Sequence, residues 1–352
     1  MQSFKEYKTL VRRDYELAIP EAAQLLIDGE LVAFPTETVY GLGANALDPV
    51  AVKKIFKAKG RPGDNPLIVH VAEIAQAEAV SKELSQDCRK LMAAFWPGAL
   101  SLVVKKADCL PGEVSAGLKT VAIRMPDNDI ALSLIRAAKL PIAAPSANLS
   151  GLPSPTRAEH VLADMNGRIP VIIDGGPCRY GVESTVVDVS DEAQGPVILR
   201  PGAVTKEMIE QVCGRCSVSE GVTRQLENDE EARSPGMKHR HYSPKNGRVL
   251  VLEGDEGRLA DYLKGFAMTH AHRCAVLALA PLAERLSDIK GMTVCDMGDT
   301  ASYAAGLFDK LRRLDDDDYD IMICQAVPEE GLGLALMNRL LRASGFQRER
   351  II

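Results

Sequence analysis

The sequence of 352 residues lacks any apolar run that approaches the roughly 20 residues needed to cross a bilayer. Residues 1–13 are polar and charged, and they lack the apolar core of a secretion signal. We therefore expect a cytoplasmic protein with no membrane partner. The eight cysteines are an unremarkable number, and Cys274, Cys295 and Cys324 lie inside apolar segments, which predicts buried, reduced thiols.

Positive charge and aromatic side chains are also scarce. The chain has 42 Lys and Arg against 48 Asp and Glu, a net charge of −6, and only 5% aromatic residues. A protein whose main task is to hold nucleic acid needs a basic face, and recognition by base stacking needs aromatic side chains. We therefore expect no stable tRNA binding, although a local basic patch is compatible with this composition.

Several motifs of known chemistry are missing. The chain has no Walker A sequence, and no G-x-G-x-x-G follows the first strand of its C-terminal third, so phosphates would be held without either loop. Cys213 and Cys216 have the spacing of half a zinc site. The nearby His239 and His241 are two residues apart, whereas zinc sites usually space them by about four to six. Structural zinc is the weaker interpretation, and we predict no metal site built from protein ligands.

The first two thirds of the chain alternates apolar strand-like runs with helical patterns, which indicates a mixed α/β domain. Asp48 can cap a helix that has Pro49 at its first position and ends at Gly60. The predicted strands are 31–34, 66–71, 100–104, 121–125, 142–144, 171–173, 185–189 and 197–199, and further helices are predicted at 129–139 and 157–165.

The composition changes after residue 214, where an acidic, apolar-poor stretch is followed by a basic one rich in turn formers. We predict a catalytic domain at 1–214, a linker and active-site lid at 215–246, and a smaller Rossmann-like α/β domain at 247–352. The predicted elements of the last domain are strands at 249–252, 274–279, 292–296 and 320–327 and helices at 301–314 and 333–344.

Polar side chains follow many of the predicted strands of the first domain. Strand ends in α/β sheets are common ligand sites. Cations and hydrogen-bond donors dominate, which suits polyanions such as ATP together with a carboxylate. The polar residues of this set are Thr36, Lys59, Arg61, Asn65, His70, Thr120, Arg124, Ser146, Asn148, Ser184 and Arg200, of which Lys59 and Arg61 lie at a helix end.

Arg124 has the most informative position of this set. Strand alternation places Val121, Ile123 and Met125 on one face and Thr120 with Arg124 on the other. A half-buried arginine needs a partner. An internal salt bridge and a substrate carboxylate are both compatible with the sequence.

The order of these motifs resembles the YrdC-like threonylcarbamoyl-AMP synthases in their long form, which carries an extra C-terminal domain. The matching segments are PTETVYGLG (35–43), KGR (59–61), NPLIVH (65–70), KTVAIRMP (119–126), APSANLSG (144–151), ESTVVD (183–188), LRPG (199–202) and SPGMKHRHYSP (234–244). The resemblance implies a YrdC-like twisted mixed sheet with flanking helices that forms a concave site.

The resemblance also implies a role for each residue. Threonine would contact Thr36, His70, Thr120, Arg124, Ala144 and Ser184, with its carboxylate on Arg124. ATP would contact Lys59, Arg61, Asn65, Ser146, Ser154, Arg200 and Tyr242. Lys59, Arg61, Ser146 and Asn148 would form the catalytic set, and the linker residues Lys238, Arg240 and Tyr242 would cover the site.

The implied activity is the synthesis of threonylcarbamoyl-AMP and pyrophosphate from L-threonine, bicarbonate and ATP. The product serves to modify adenosine at position 37 of tRNA, which implies the threonylcarbamoyl-transfer machinery as a partner. Mg²⁺ is expected with ATP and needs no protein cage. Two alternatives are a non-catalytic RNA-binding module and a related enzyme that uses carbamoyl phosphate; enzymes of the second kind carry zinc-finger-like and kinase-like modules that this chain lacks.

Overall fold

The structure is a computed structural model that describes residues 6–222, 241–269 and 273–352. It forms two compact units. In the described part, the first unit contains residues 6–150 and 154–222, and the second contains residues 151–153, 241–269 and 273–352. None of the helices in these ranges has the length and apolar character required to cross a membrane.

The first unit is built on one large mixed sheet. Its described strands are β1 (Leu10–Arg12), β2 (Val32–Phe34), β3 (Gly41–Asn45), β4 (Ile68–His70), β5 (Ser81–Glu83), β6 (Leu100–Lys106), β7 (Thr120–Arg124), β8 (Ile142–Ala143), β9 (Val171–Ile173), β10 (Thr185–Asp188), β11 (Val197–Arg200) and β12 (Ser217–Val218). They are hydrogen-bonded in the order β1-β9-β2-β3-β8-β4-β7-β6-β10-β11-β12, and β5 pairs with β6.

Helices pack on this sheet. They are α1 (Tyr15–Ile27), α2 (Pro49–Lys59), α3 (Ile74–Ala79), α4 (Gln86–Phe95), α5 (Gly112–Ser115), α6 (Asp129–Ala138), α7 (Ala158–Met165) and α8 (Lys206–Cys213). Helix α2 has the ends that the sequence predicts, since the Asp48 carboxylate accepts the Val50 N–H and Gly60 closes the helix with φ +60°. This cap fixes where Lys59 leaves the helix.

The two faces of the central strands differ. Val121, Ile123 and Met125 lie in the main apolar core. Ala122 belongs instead to a small apolar cluster on the opposite face with Ile68 and other residues. The alternation predicted for β7 is therefore confirmed, and Arg124 shares the face of Ala122.

Strand β3 is one of several elements that the sequence did not predict, and its glycines are typical of loops. The glycines are required by packing against Phe34. A Cβ on Gly43 would lie 2.8 Å from the Phe34 Cε1 atom and 2.9 Å from Ile142 Cγ2. Such distances leave no space for a side chain. The glycines thus allow β3 to pair with both β2 and β8 beneath the Phe34 ring.

The second unit contains a parallel sheet. Its described strands are β13 (Arg248–Glu253), β14 (Cys274–Ala278), β15 (Met292–Asp296), β16 (Ile321–Gln325) and β17 (Arg348–Arg350), in the order β15-β14-β16-β13-β17. The accompanying helices are α9 (Glu256–Thr269), α10 (Ala280–Arg285), α11 (Thr300–Asp316) and α12 (Leu332–Ala343). This is the smaller Rossmann-like α/β domain that the sequence predicts. Cys274, Cys295 and Cys324 are buried free thiols, as predicted.

Three residues far away in sequence complete the second unit. The Pro153 carbonyl oxygen accepts hydrogen bonds from Arg312 Nε (3.1 Å) and Nη2 (2.5 Å). The Gly151 carbonyl oxygen accepts the Ser243 N–H at 3.0 Å. The segment Gly151–Pro153 is therefore part of this unit, although the chain on both sides of it belongs to the first.

Candidate active site

The turn between β2 and β3 is organised by its own hydroxyl groups. Thr36 Oγ1 donates to the Val39 carbonyl oxygen (2.7 Å) and accepts the backbone N–H groups of Thr38 and Val39 (3.2 Å each). The Thr38 hydroxyl lies 2.8 Å from it. All three side chains are buried. The predicted Thr36 therefore lies in a turn that its own hydrogen bonds hold in place.

Arg124 is held by three groups of the protein. Its Nε donates to the Gly98 carbonyl oxygen (3.2 Å) and its Nη1 to Thr38 Oγ1 (2.9 Å). Its Nη2 lies 2.7 Å from Glu37 Oε1, and both side chains are at most 4% exposed. The internal salt bridge considered for this arginine is therefore present. Because a guanidinium has five N–H groups and only the Nε and Nη1 contacts are hydrogen bonds, the guanidinium keeps N–H groups that can donate to a carboxylate.

His70 lies beside Arg124 on the same face, since the two residues are paired across β4 and β7. Its Nδ1 is 3.3 Å from the Ile68 carbonyl oxygen, and its ring meets Phe34 edge to face. Burial, together with the positive charge of Arg124, lowers the pKa of His70 to about 3. The imidazole is thus neutral near pH 7, so it offers a hydrogen bond rather than a charge.

This pKa predicts how acid affects folding. A histidine in the unfolded chain has a pKa near 6.5. Between about pH 6.5 and pH 3 this histidine is therefore protonated in the unfolded chain and neutral in the folded chain. Stability contributed by neutral His70 is complete above pH 6.5 and falls with the pH below it. We expect His70→Gln to reduce the loss of urea stability between pH 6.5 and 4.5 relative to the wild type. Identical slopes in both proteins would contradict the neutral, buried histidine. The control is His160→Gln, which changes a partly buried histidine away from Arg124.

Two serines and an arginine continue the polar row across the sheet. Ser184 Oγ is 2.8 Å from Ser101 Oγ, and Ser101 is the cross-strand neighbour of Arg124. Arg200 donates through Nη2 to Ser184 Oγ and through Nε to the Ser184 carbonyl oxygen, at 3.1 Å each. The structure therefore connects Arg124 with the predicted Ser184 and Arg200.

Lys59 forms a second polar cluster with the loop that follows β8. Its ammonium donates to the carbonyl oxygens of Ser146 (2.5 Å) and Asn148 (2.6 Å), and the Asn148 Oδ1 atom lies 3.5 Å away. The Ser150 N–H donates back to the Lys59 carbonyl oxygen at 3.0 Å. Lys59 is 3% exposed. Lys59 of the KGR segment thus binds directly to Ser146 and Asn148 of the APSANLSG segment.

The same loop runs beside β3. The Leu42 N–H donates to the Pro145 carbonyl oxygen (2.8 Å), and the Ala147 N–H donates to the Tyr40 carbonyl oxygen (2.9 Å). The predicted Ala144 is buried and donates its N–H to the Ile68 carbonyl oxygen (2.9 Å). These bonds fix the loop relative to the turn that carries Thr36.

The remaining predicted residues lie at different distances from these clusters. Arg61 Nη2 donates to the Asn65 carbonyl oxygen at 3.0 Å, which closes the loop after α2. Asn65 is 2% exposed. Thr120 lies on the face of Arg124 but begins β7, which places it about 13 Å away at about 3.3 Å per residue.

Two predicted residues, Ser154 and Tyr242, contact other residues of their own units. Ser154 is buried and donates to Glu183 Oε1 at 2.5 Å. Tyr242 stacks on Phe308 in the second unit, with 5.0 Å between ring centroids. Lys238 and Arg240 of the predicted lid lie outside the described residues.

Glu37 and Ser101 belong to this site but were not among the predicted residues. Glu37 has a signal in the sequence, since it stands between the two threonines of the PTETVYGLG motif. Ser101 has none, because only the register of β6 against β7 brings it to Arg124. In the part of the chain that the structure describes, no group of three His, Cys, Asp or Glu side chains is placed to hold a metal ion.

Comparison with known proteins adds to this geometry. A family model described as "Telomere recombination" (Sua5_yciO_yrdC) matches residues 24–202, which include the predicted site residues except Tyr242. A model described as "Threonylcarbamoyl-AMP synthase, C-terminal domain" matches residues 204–345.

Relatives match over nearly the whole length. The threonylcarbamoyl-AMP synthase of Bacillus subtilis is 49% identical over 93% of both chains. That of Pyrococcus abyssi is 45% identical over 94% of this chain and 95% of its own. The crystal structure of P. abyssi Sua5 complexed with L-threonine superposes with a TM-score of 0.90, at 44% identity, over 98% of this chain and 99% of that one. The chain therefore belongs to the threonylcarbamoyl-AMP synthase family.

Proposed function

We propose that the protein condenses L-threonine, bicarbonate and ATP into threonylcarbamoyl-AMP and pyrophosphate. The observation that carries this proposal is the buried polar face of Arg124. There Arg124 donates to Thr38, which contacts Thr36. Ser101, the cross-strand neighbour of Arg124, contacts Ser184 on the same face. The relative solved with L-threonine shares this fold at a TM-score of 0.90. An amino-acid site next to a buried lysine and a loop of oxygens and amides suits this reaction.

The threonine would place its carboxylate against the guanidinium of Arg124, because a guanidinium fork matches a carboxylate in two parallel hydrogen bonds. Thr36, His70, Thr120, Ala144 and Ser184 are its other proposed contacts. The charge of Arg124 is already balanced by Glu37. The pair therefore offers a zwitterionic ligand one group of each sign.

ATP would lie along the Lys59 cluster. Lys59, Arg61 and Arg200 would neutralise phosphate charge, and Ser146 and Asn148 would orient the reacting phosphate, together with Asn65, Ser154 and Tyr242. Ser146 Oγ donates to Asn148 Oδ1 at 2.5 Å, so a hydrogen bond within the loop fixes the position of both side chains. Preorganised donors of this kind stabilise the charge that develops during transfer.

The reaction needs position more than a covalent nucleophile. The carbamate oxygen formed from threonine would attack the α-phosphorus of ATP, and pyrophosphate would leave. Carbamates decompose in water, so a cover that excludes solvent is useful. We assign this role to the linker at 215–246, between a catalytic domain at 1–214 and the domain at 247–352.

Mg²⁺ would accompany ATP, because it binds phosphate oxygens and is coordinated by hard oxygen donors. The Ser146 hydroxyl and the Asn148 side-chain carbonyl are donors of that class beside Lys59. When bound, the ion would neutralise phosphate charge. The product would pass to the cytoplasmic machinery that transfers the threonylcarbamoyl group to tRNA.

Pyrophosphate release tests the proposal. We expect release from purified protein with ATP and Mg²⁺ only when both L-threonine and bicarbonate are present. Release without threonine would indicate a simple ATP pyrophosphatase. No release in any combination from folded protein would reject the proposal, and salt-sensitive RNA binding would then favour the RNA-binding alternative.

A further inference from the structure

Glu37 is a buried acid whose hydrogen-bonding capacity is unused. The residue is 4% exposed, and its carboxylate touches Arg124 at 2.7 Å. That contact lacks the alignment of a hydrogen bond, and neither Oε1 nor Oε2 receives one from the residues that the structure describes. A backbone bond from the Tyr180 N–H to the Glu37 carbonyl oxygen (2.8 Å) holds the residue in place.

A buried carboxylate without hydrogen bonds lowers the stability of the folded protein. Buried charges are normally both paired and hydrogen-bonded, and each exception needs an explanation. The Glu37–Arg124 pair satisfies the charge but leaves up to four lone-pair sites on the carboxylate. None of the residues that the structure describes donates to them. Because the carboxylate stands beside the Arg124 guanidinium, a ligand that carries both an N–H donor and a carboxylate fits this place.

We propose that Glu37 binds the α-ammonium group of L-threonine and removes one of its protons. This inference rests on the proposed function. In an α-amino acid the ammonium and the carboxylate are attached to one carbon, so neighbouring Glu37 and Arg124 can contact both groups at once. Glu37 thereby acts as the general base that the amine requires, because a protonated amine has no lone pair to attack carbon.

The step balances in atoms and charge. Glu37 takes one proton, and the ammonium becomes a neutral amine. The amine nitrogen then forms a bond to the carbon of bicarbonate, and the C–OH bond of bicarbonate breaks. The hydroxide leaves with the second nitrogen proton as water, and the carbamate anion remains for attack on ATP.

The groups around Glu37 favour this assignment. Arg124 is the cation in direct contact. Burial raises the pKa of the Cys178 thiol, which faces Glu37, Arg124 and Arg157, to about 12, so the thiol stays protonated. His70 is neutral but a very weak base, with a pKa of about 3. Among these neighbours, Glu37 is the carboxylate that stands beside Arg124, where the ammonium group of an amino acid would lie.

The test is the pH profile of Glu37→Gln. Near neutral pH we expect pyrophosphate release to fall by about 100-fold or more, as for loss of a general base. The remaining rate should rise by about tenfold per pH unit above pH 7, since the free amine must then come from solution. The wild-type profile should be much flatter. Glu113→Gln, which changes a partly exposed glutamate paired with Lys53, is the matched control and should keep wild-type rates.

Each result decides the matter. A Gln variant within threefold of the wild type, or one that is slow by the same factor at every pH, overturns the assignment while leaving the proposed function intact. Wild-type protein without threonine-dependent release overturns both. If Glu37→Gln does not fold, Glu37→Asp replaces it as the test. Its shorter side chain moves the carboxylate away from the ammonium, so the single-turnover rate should fall at least about tenfold while the ATP affinity is unchanged. An unchanged turnover rate overturns the assignment.

Discussion

Replacing Lys59 by methionine should reduce pyrophosphate release by about 1,000-fold or more. One donor that stabilises developing charge is commonly worth about 100- to 1,000-fold, and Lys59 also braces the loop that it would share with ATP. Its ammonium holds the carbonyl oxygens of Ser146 and Asn148. Without it, these buried oxygens lose their donor and the loop shifts from its position beside β3.

The measurement is a steady-state pyrophosphate assay with far-ultraviolet circular dichroism as a check of folding. Lys57→Met is the matched control, because Lys57 is an exposed lysine in the last turn of the same helix. Methionine and lysine have similar helix propensities, so α2 should survive both changes. A folded Lys59→Met protein that keeps more than a tenth of the wild-type rate would refute the central role of this cation.

Replacing Arg124 by lysine should raise the Kd for L-threonine by about 100-fold and leave the Kd for ATP nearly unchanged. Lysine supplies one point charge in place of a planar fork. It cannot reach Gly98, Thr38 and Glu37 together and still offer two parallel N–H groups to a carboxylate. Calorimetric titration of threonine and of ATP separates the two effects.

The free energy of unfolding of Arg124 variants tests the buried ion pair with Glu37 independently of ligand binding. Removing one partner of a buried ion pair commonly costs about 3–5 kcal/mol, so Arg124→Ala should lower the free energy of unfolding strongly and Arg124→Lys less. Arg136→Lys on the exposed side of α6 should change neither binding nor unfolding. Equal threonine affinity in Arg124→Lys and wild type would show that the carboxylate binds elsewhere.

Local pattern was sufficient to predict most elements of this fold. The Asp48 cap, Pro49 and Gly60 define α2, and apolar runs define the central strands, because these signals act within a few residues. Strand β3 was not predicted. Its glycines are required by close packing against Phe34 of another strand, whereas in the sequence they indicate a turn. Which strand pairs with which, in a sheet of mixed direction, depends on contacts that no short pattern contains.

For the site, too, local sequence pattern predicted single residues but not their partners. Alternation along β7 predicted the face of Arg124, and the structure agrees. Two partners of the arginine were weighed from the sequence, and the one found, Glu37, lies 87 residues away, which alternation cannot reveal. Ser101 reached the site only through strand register. Residue type and local position thus predict a candidate, whereas its partners depend on the assembled sheet.

The position of Gly151–Pro153 sets an order of events during synthesis. Arg312 donates to Pro153 across 159 residues of sequence. At about 5–20 residues per second, those bonds cannot form until roughly 8–30 s after Pro153 has been added to the chain. Throughout that interval the first unit can fold from its own strands, but the three residues between Ser150 and Ser154 have no arginine to hold them. The nascent protein therefore completes this loop last, when its C-terminal sheet assembles.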